Sequence, residues 1–587
     1  MTNLTGSRQR FLSFLLVISL IVVSVNGAPA LGQRRSSQQA AASNRPRLVL
    51  LIAVDQFRYD YLERFGDLFG PNGLRRLMND GASWVNANYD HMPTYTAPGH
   101  ATLMSGAYPA ETGIVANEWP DRETGKKVTS VSDSTTRLLA GGPNEEGSSP
   151  RRMMASTLGD ELRLATNDRA KVVGISLKDR SAILPAGRHA NAAYWFSARS
   201  GNFVSSDYYF AHLPKWVEDF NASHPANEYF GKLWERLLPS AEYEKRAGPD
   251  SPPWENIGNV RGDTNAFPHK ITGGASAAGP DFYSALEYSP FSNDLLVSFT
   301  KQAIVNEQLG QDEFTDLLAI SFSADDYVGH RYGPYSQEVM DVTLRVDQQI
   351  AALLDFVDSR VGLRNTIVIL SADHGVAPIP EHATAIGLSG GRVNSTQAVA
   401  KVKAALTARY NPSGKTPDPT ADYILKYDDA GRMRDGMINA NLYFNLAALN
   451  RDGVNLEEIQ RVSAAALMTV PGIARCFTRD QLLRGAVSST DAIERRVLHG
   501  FYPQRSGDVI VVTDAFKYFI ESEITATHGS PYTYDTHVPQ IIMGGRLKGG
   551  KYFQAAAPTD IAPTVAAVLG IQPPSNSVGR VLIEAIQ

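Results

Sequence analysis

Arg47-Leu-Val-Leu-Leu-Ile-Ala-Val-Asp55 is an unbroken apolar run closed by a carboxylate. A run without polar alternation has no solvent face. It reads as a strand covered on both sides, as in a parallel sheet between helix layers. Similar runs return at Lys171–Leu177, Asp316–Phe322 and Thr366–Leu370, and Asp508–Val512 and Gln540–Met543 read the same way. Val339, Val342, Val346, Ile350, Leu353 and Val357 recur at spacings of three and four and form one apolar helix face. Strand–helix–strand alternation predicts an α/β fold with a mostly parallel central sheet and helices on both faces.

Working outward, Arg8 and Arg10 precede an apolar run, Phe11 to Val25, and then the small residues Gly27, Ala28, Ala30 and Gly32. The run is shorter than the ~20 residues of a membrane span. It fits a cleavable signal peptide, residues 1–32, followed by a Ser/Gln/Ala-rich tether at 33–46. The expectation is a periplasmic or secreted protein with no stable membrane anchor after cleavage. Residues 47–587 are expected to form the folded body, with two stretches outside the alternation, about 190–310 and 380–505, read as inserted cap segments. The chain has 587 residues, 43% hydrophobic and 20% charged, with formal net charge −5, an ordinary globular composition. No block of like charge marks a nucleic-acid binder. Cys476 is the only cysteine, so no intramolecular disulfide can form.

Chemistry gathers at the strand ends. Asp55 follows the first run. Asp326 and His330 follow the Asp316–Phe322 run in Ser323-Ala-Asp-Asp-Tyr-Val-Gly-His330, and Asp373 and His374 follow another in Ser371-Ala-Asp-His-Gly375. In open α/β sheets ligands bind beyond the carboxyl ends of the strands. Carboxylates gathered there repel one another, so a divalent cation is the natural resolution, and mixed Asp/His donors suit zinc. In Thr94-Tyr-Thr-Ala-Pro-Gly-His-Ala-Thr-Leu103, Thr96 stands at an N-cap-like position with Pro98 in the first turn. Its hydroxyl is either a cap or a nucleophile placed where helix N–H groups favour an oxyanion, and spacing does not decide between them.

Taken in order, these motifs resemble the alkaline phosphatase superfamily, and within it the PafA-type bacterial branch with a threonine nucleophile. Asn117 in Val115-Ala-Asn-Glu118, Leu177-Lys-Asp-Arg180 and the closing Thr559-Asp-Ile-Ala-Pro-Thr-Val565 extend the resemblance from about residue 47 to the end. It implies two zinc ions per chain. Asp326, His330 and a late histidine would hold one. Asp55, Asp373, His374 and Thr96 would hold the other. Two histidines compete for the late position, His528 in Ala526-Thr-His-Gly-Ser530 and His537 in Asp535-Thr-His-Val-Pro539. His537 abuts the last strand where, in a parallel strand, the chain would be leaving the rim, so His528 is favoured. His100 resembles a structural histidine of the nucleophile box.

Lys178 and Arg180 bear on substrate class. Read as an extension of the Lys171–Leu177 strand, they point to one face and Asp179 to the other. Together with Asn117 they would hold the non-bridging oxygens of a phosphate monoester, which carry more charge than those of a diester. The resemblance implies small-molecule phosphate monoesters as substrates, hydrolysed through a phospho-threonine on Thr96; a monomer is expected. A phosphodiesterase or nucleotide pyrophosphatase on the same site is the alternative, as is a non-catalytic exported metal- or phosphate-binding protein. The sulfatase branch is disfavoured by Thr96 itself, and a phosphoglycerate mutase by the leader and Thr96.

Overall fold

The computed structural model describes residues 45–255, 264–519 and 525–587. The expected signal peptide and all but the last residues of the tether lie outside the described residues. The strands that build the centre are β1 (Leu48–Val54), β2 (Ala82–Trp84), β3 (Leu138–Leu139), β4 (Val172–Ser176) and β5 (Ala192–Ser197). They continue with β6 (Asn202–Ser206), β7 (Asp316–Phe322), β8 (Thr366–Ser371), β9 (Gln540–Met543) and β10 (Gly550–Tyr552). They form one 10-stranded sheet in the order β10-β2-β9-β8-β1-β7-β4-β5-β6-β3. The middle is parallel: β1 pairs with β7 and β8, β7 with β4, and β4 with β5. The register Leu48↔Asp316 and Leu48↔Thr366 brings β1, β7 and β8 to one carboxyl rim.

The lack of alternation in β1 is explained by its two faces. Leu48, Leu50, Ile52 and Val54 pack in one core with Val342, Val346, Ile350 and Leu353 of the long helix Gln337–Arg360. Val49, Leu51 and Ala53 pack in a second core with Leu103, Met104 and, from the helix Ile561–Leu569, Ile561 and Val565. Each fully buried aliphatic side chain contributes about 1.5–3 kcal/mol, so the sandwich of sheet between helices is held from both sides.

Three expectations need correction. Strand β9 runs antiparallel to β8, with Ser371 opposite Gln540, so it starts at the rim instead of ending there. The Asp508–Val512 run forms the strand Val509–Thr513 in a separate four-stranded sheet with Met437–Ile438, Asn441–Leu442 and Ile473–Thr478, outside the central one. The first supposed insertion, about 190–310, contains β5 and β6 of the central sheet. It also contains the helix Pro290–Asn306, whose Leu295, Leu296 and Phe299 join the first core. Among the described residues no helix is long and apolar enough to cross a membrane.

Ile350 is fully buried in the core that β1 shares with the long helix. Ile350→Ala is expected to lower unfolding free energy by about 2–5 kcal/mol, read as an earlier denaturant midpoint. A shift under roughly 1 kcal/mol would show that the helix does not carry the core as described.

Candidate active site

Helix α1 (Thr96–Ser105) begins at Thr96, with Tyr95 as its extended N-cap. Thr96 is therefore the first helical residue, not the cap. It is 1% exposed, and its Oγ1 lies 3.4 Å from His374 Nε2. Pro98 in the first turn forfeits no hydrogen bond, because the early N–H groups have no intrahelical acceptor. The exposed end of that donor set is partly met by Asn117, whose Oδ1 accepts from Ala97 N–H at 2.8 Å. Gly99 is required by close approach: a Cβ there would sit 2.1 Å from the Asp373 carbonyl oxygen. Helix α1 thus rests directly on the Asp373 turn. His100 completes the contact, with Nδ1 2.9 Å from Thr96 O and 3.1 Å from Asp373 Oδ2, and Nε2 2.8 Å from Ser321 Oγ.

Helix α2 (Asp179–Ala186) follows β4 with Lys178 as its N-cap. Lys178 and Arg180 thus open a helix and do not prolong the strand, which corrects the alternation argument. Lys178 is nevertheless directed inward. Its side chain is 3% exposed and its Nζ donates to Asp55 Oδ2 at 2.7 Å and to Asp326 Oδ2. Arg180 stays close by, with Nη1 3.8 Å from Asp179 Oδ1 and a buried Nε that no acceptor meets. Burial opposes the Lys178 charge, yet Asp326 and Asp55 hold its pKa above the ordinary lysine value.

Helix α3 (Ala324–Tyr332) follows β7 and places Asp326 and His330 one turn apart on one face. Ligand atoms of Asp326, His330 and His528 lie within 4.8 Å of one another, and so do those of Asp55, Asp326 and His374. Asp326 is common to both groups. Asp373 stands beside the second, with Oδ2 3.3 Å from His374 Nε2. His537 joins neither group. Its Nε2 is 2.9 Å from Val85 O and its ring stacks on Tyr59 at 4.4 Å. The preference for His528 agrees with this geometry, but not through the parallel-strand premise: β9 starts at the rim, and His537 is turned away by its own packing.

The donor chemistry shows what the groups fit. His330 Nδ1 faces Ala526 O at 2.7 Å, His528 Nδ1 faces Thr94 O at 2.7 Å, and His374 Nδ1 faces Gly375 O at 2.9 Å. A carbonyl can only accept, so each Nδ1 carries a proton; in its neutral form each ring presents an Nε2 lone pair, although at His330 attraction to Asp326 outweighs burial and raises the pKa. Those lone pairs face carboxylates: His330 Nε2 is 3.2 Å and His528 Nε2 3.7 Å from Asp326 Oδ1, and His374 Nε2 is 3.6 Å from Asp55 Oδ1. Asp55 Oδ1 is buried and no donor meets it. Lone pairs turned toward carboxylate oxygens are satisfied by a shared cation. Burial lowers the pKa of His528 and His374, which keeps those rings in the neutral, ligating form. Burial, then repulsion from Asp326 and Asp373, raises that of Asp55.

Sequence reasoning missed Gln56. Its backbone N–H donates to Asp373 Oδ1 at 3.1 Å and its Nε2 to Asp326 Oδ1 at 2.7 Å, tying two of the carboxylates together. Only its place directly after Asp55 at a strand end could have signalled this. Tyr327 was also missed; its ring lies 4.9 Å from Lys178 Nζ and backs the ammonium.

A buried His/Asp rim with a hydroxyl on a helix N-terminus defines a hydrolase centre of the phosphoester class. The chain belongs to the type I phosphodiesterase / nucleotide pyrophosphatase family, whose profile matches residues 49–537. Within the alkaline phosphatase superfamily it sits in the PafA-type branch. It is 34% identical to alkaline phosphatase PhoV of Synechococcus elongatus over 98% of this chain and 99% of that one. It is 34% identical to alkaline phosphatase PafA of Elizabethkingia meningoseptica over 94% of this chain and 96% of that one. The crystal structure of wild-type PafA superposes with a TM-score of 0.84 at 33% identity, covering 92% of this chain and 99% of that one.

His528→Ala is expected to remove about half of the tightly bound metal from the purified protein, because only one of the two groups loses a donor. His537→Ala is expected to keep the full complement. Elemental analysis reads both, and the reverse pattern would move the ligand to His537.

Proposed function

We propose that this chain is an exported zinc-dependent phosphomonoesterase that works through a phospho-threonine on Thr96. The observation that carries the reading is the Thr96 hydroxyl at the N-terminus of α1, 3.4 Å from His374 Nε2, with the Lys178 ammonium beside the same carboxylates. Export rests on the leader-like segment ahead of residue 33.

Asp326, His330 and His528 would hold one zinc ion, and Asp55, Asp373, His374 and Thr96 the other. Together the ions would supply Lewis acidity that lowers the Thr96 hydroxyl pKa and offsets charge on the leaving oxygen. The remaining work belongs to the chain's own groups. Thr96 Oγ1 attacks phosphorus in line, the ester oxygen leaves on the opposite side, and water then hydrolyses the phospho-threonine. Asn117, with its oxygen occupied by Ala97 N–H, has its amide N–H groups left to donate to a phosphate oxygen. Lys178 and Arg180 add charge-assisted donors, and the N-terminus of α1 adds oriented N–H groups. The transition state is loose, so positioning and charge do most of the work.

Thr96→Ala is expected to lower turnover by roughly 10³-fold or more with fold and metal content intact. Acid-quenched wild-type enzyme is expected to carry phosphate on Thr96 by mass spectrometry. An active Thr96→Ala protein with no labelled threonine would overturn the proposal. Chelation should abolish hydrolysis and added zinc restore it.

Monoester preference is expected to depend on Lys178 and Arg180. A charge-assisted hydrogen bond contributes about 1.5–3 kcal/mol, so each loss should cost roughly 10- to 100-fold in monoester kcat/KM. The diester rate should fall less, because diester oxygens carry less charge. Lys178→Ala/Arg180→Ala therefore narrows the monoester-to-diester ratio, and an unchanged ratio would favour the diesterase alternative.

A further inference from the structure

A cavity of about 690 Å³ opens beside the centre, between the catalytic body and the inserted segment. Its floor includes Tyr95, which precedes Thr96, and His528, whose ring Tyr95 meets edge-on at 5.5 Å. Asn117, Lys178 and Arg180 do not line it. The cavity thus meets the centre at His528, through which it adjoins the Asp326–His330–His528 group, and lies away from the side chains assigned to the non-bridging oxygens; Asp326, His330 and Thr96 do not line it. In-line displacement sends the leaving oxygen opposite to the attacking one. With Thr96 as nucleophile, the substituent on that oxygen needs room, and this cavity offers it.

The walls specify what fits. Tyr427, Tyr518 and Phe519 contribute ring surfaces, and Met92, Met433 and Met437 contribute polarisable thioethers. Planar faces and sulfur atoms suit a flat ring. The wall carboxylates do not make it a cation trap: Glu118 and Asp429 are each paired with Lys127 at 2.9 Å, Asp535 accepts from Ser530 N–H at 2.8 Å, and Lys403, Arg434 and Lys517 also line the wall. Thr396 and Asn439 add polar groups among the apolar ones. The volume falls in the range of about 300–1,000 Å³ typical of small-molecule sites.

We infer that this cavity is a leaving-group subsite that selects phosphate monoesters of large, ring-bearing alcohols over those of small alcohols. The inference rests on the monoesterase reading above. It also gives the inserted segment a function, since Thr396, Tyr427 and Met437 come from it.

The test compares 2-(2-naphthyl)ethyl phosphate with ethyl phosphate, which both release primary alkoxides and differ in the ring. Wild-type enzyme is expected to favour the naphthyl ester in kcat/KM. Tyr427→Ala removes a ring wall, and Thr396→Trp fills the cavity from an exposed helix position without opening a core. Each is expected to reduce the naphthyl-to-ethyl ratio by about 10-fold or more. Free 2-(2-naphthyl)ethanol is expected to inhibit wild type competitively and to lose affinity in both variants. A ratio that neither variant changes, with Thr96-dependent ethyl phosphate hydrolysis intact, would overturn the subsite and leave the monoesterase standing. Equal losses on both esters would also overturn it. Failure of wild type to hydrolyse either ester would instead overturn the monoesterase reading itself.

Discussion

Three carboxylates, Asp55, Asp326 and Asp373, are gathered at one sheet rim with 0%, 3% and 0% exposure. Like charges this close and this dry would repel strongly unless positive charge were placed among them. The fold answers in layers. Lys178 reaches Asp55 and Asp326, His100 reaches Asp373, and Gln56 donates to both Asp373 and Asp326. The result is uneven. Burial and its neighbours raise the pKa of Asp55. Burial would also raise those of Asp326 and Asp373, but both lie low, Asp326 beside His330 and Lys178 and Asp373 beside His374 and His100, an effect the imidazoles exert only when protonated. The imidazole lone pairs that face this group make a cation the natural centre of the arrangement.

The sheet and its insert share the task of holding that group together. Parallel β1, β7 and β8 deliver Asp55, Asp326 and Asp373 to one rim, and antiparallel β9 begins there, so the loop carrying His528 approaches from the same side. The insert grips the loop leading to Thr96. Asp90 binds Arg495 at 2.9 Å, and Met92 N–H donates to Arg496 O at 2.9 Å, both on the helix Ala492–Gly500. Arg496 also donates to Pro531 O, just beyond His528. One helix of the insert therefore ties the loop leading to Thr96 to the loop carrying His528. A segment that looks dispensable by sequence alternation is anchored to both halves of the centre.

The centre of the fold was legible because full burial leaves a plain mark: β1, β7 and β8 show no polar alternation, and the Val339–Val357 spacing shows one helix face. The carboxylates were legible because they end those runs. Strand direction was not, since an apolar run such as Gln540–Met543 looks the same parallel or antiparallel. Val509–Thr513 misled for a related reason: all five of its residues are buried, so it carries the same mark while belonging to a small separate sheet. The turn at Lys178 left no signal either, because α2 begins without a side-chain cap from the residues that usually announce one. Which late histidine stands beside Asp326 depends on tertiary packing that sequence does not show, Tyr95 against the His528 ring and Tyr59 against that of His537.

The helical placement of Lys178 and Arg180 strengthens the case for a dianionic substrate more than the strand reading did. On a strand they would be two charges on one face. At the start of α2 they sit at the positive end of a helix, where the macrodipole favours an anion, although Arg180 N–H already donates to Asp179 Oδ1 at 2.7 Å. Helix α1 begins with Thr96, and the two helices pack against each other. A diester would leave part of that positive field unanswered, because one of its oxygens carries a substituent instead of charge. A monoester dianion at Thr96 would meet the N-terminus of α1 and both cationic side chains at once. The field built by the backbone and the charge carried by Lys178 and Arg180 therefore point to the same ligand.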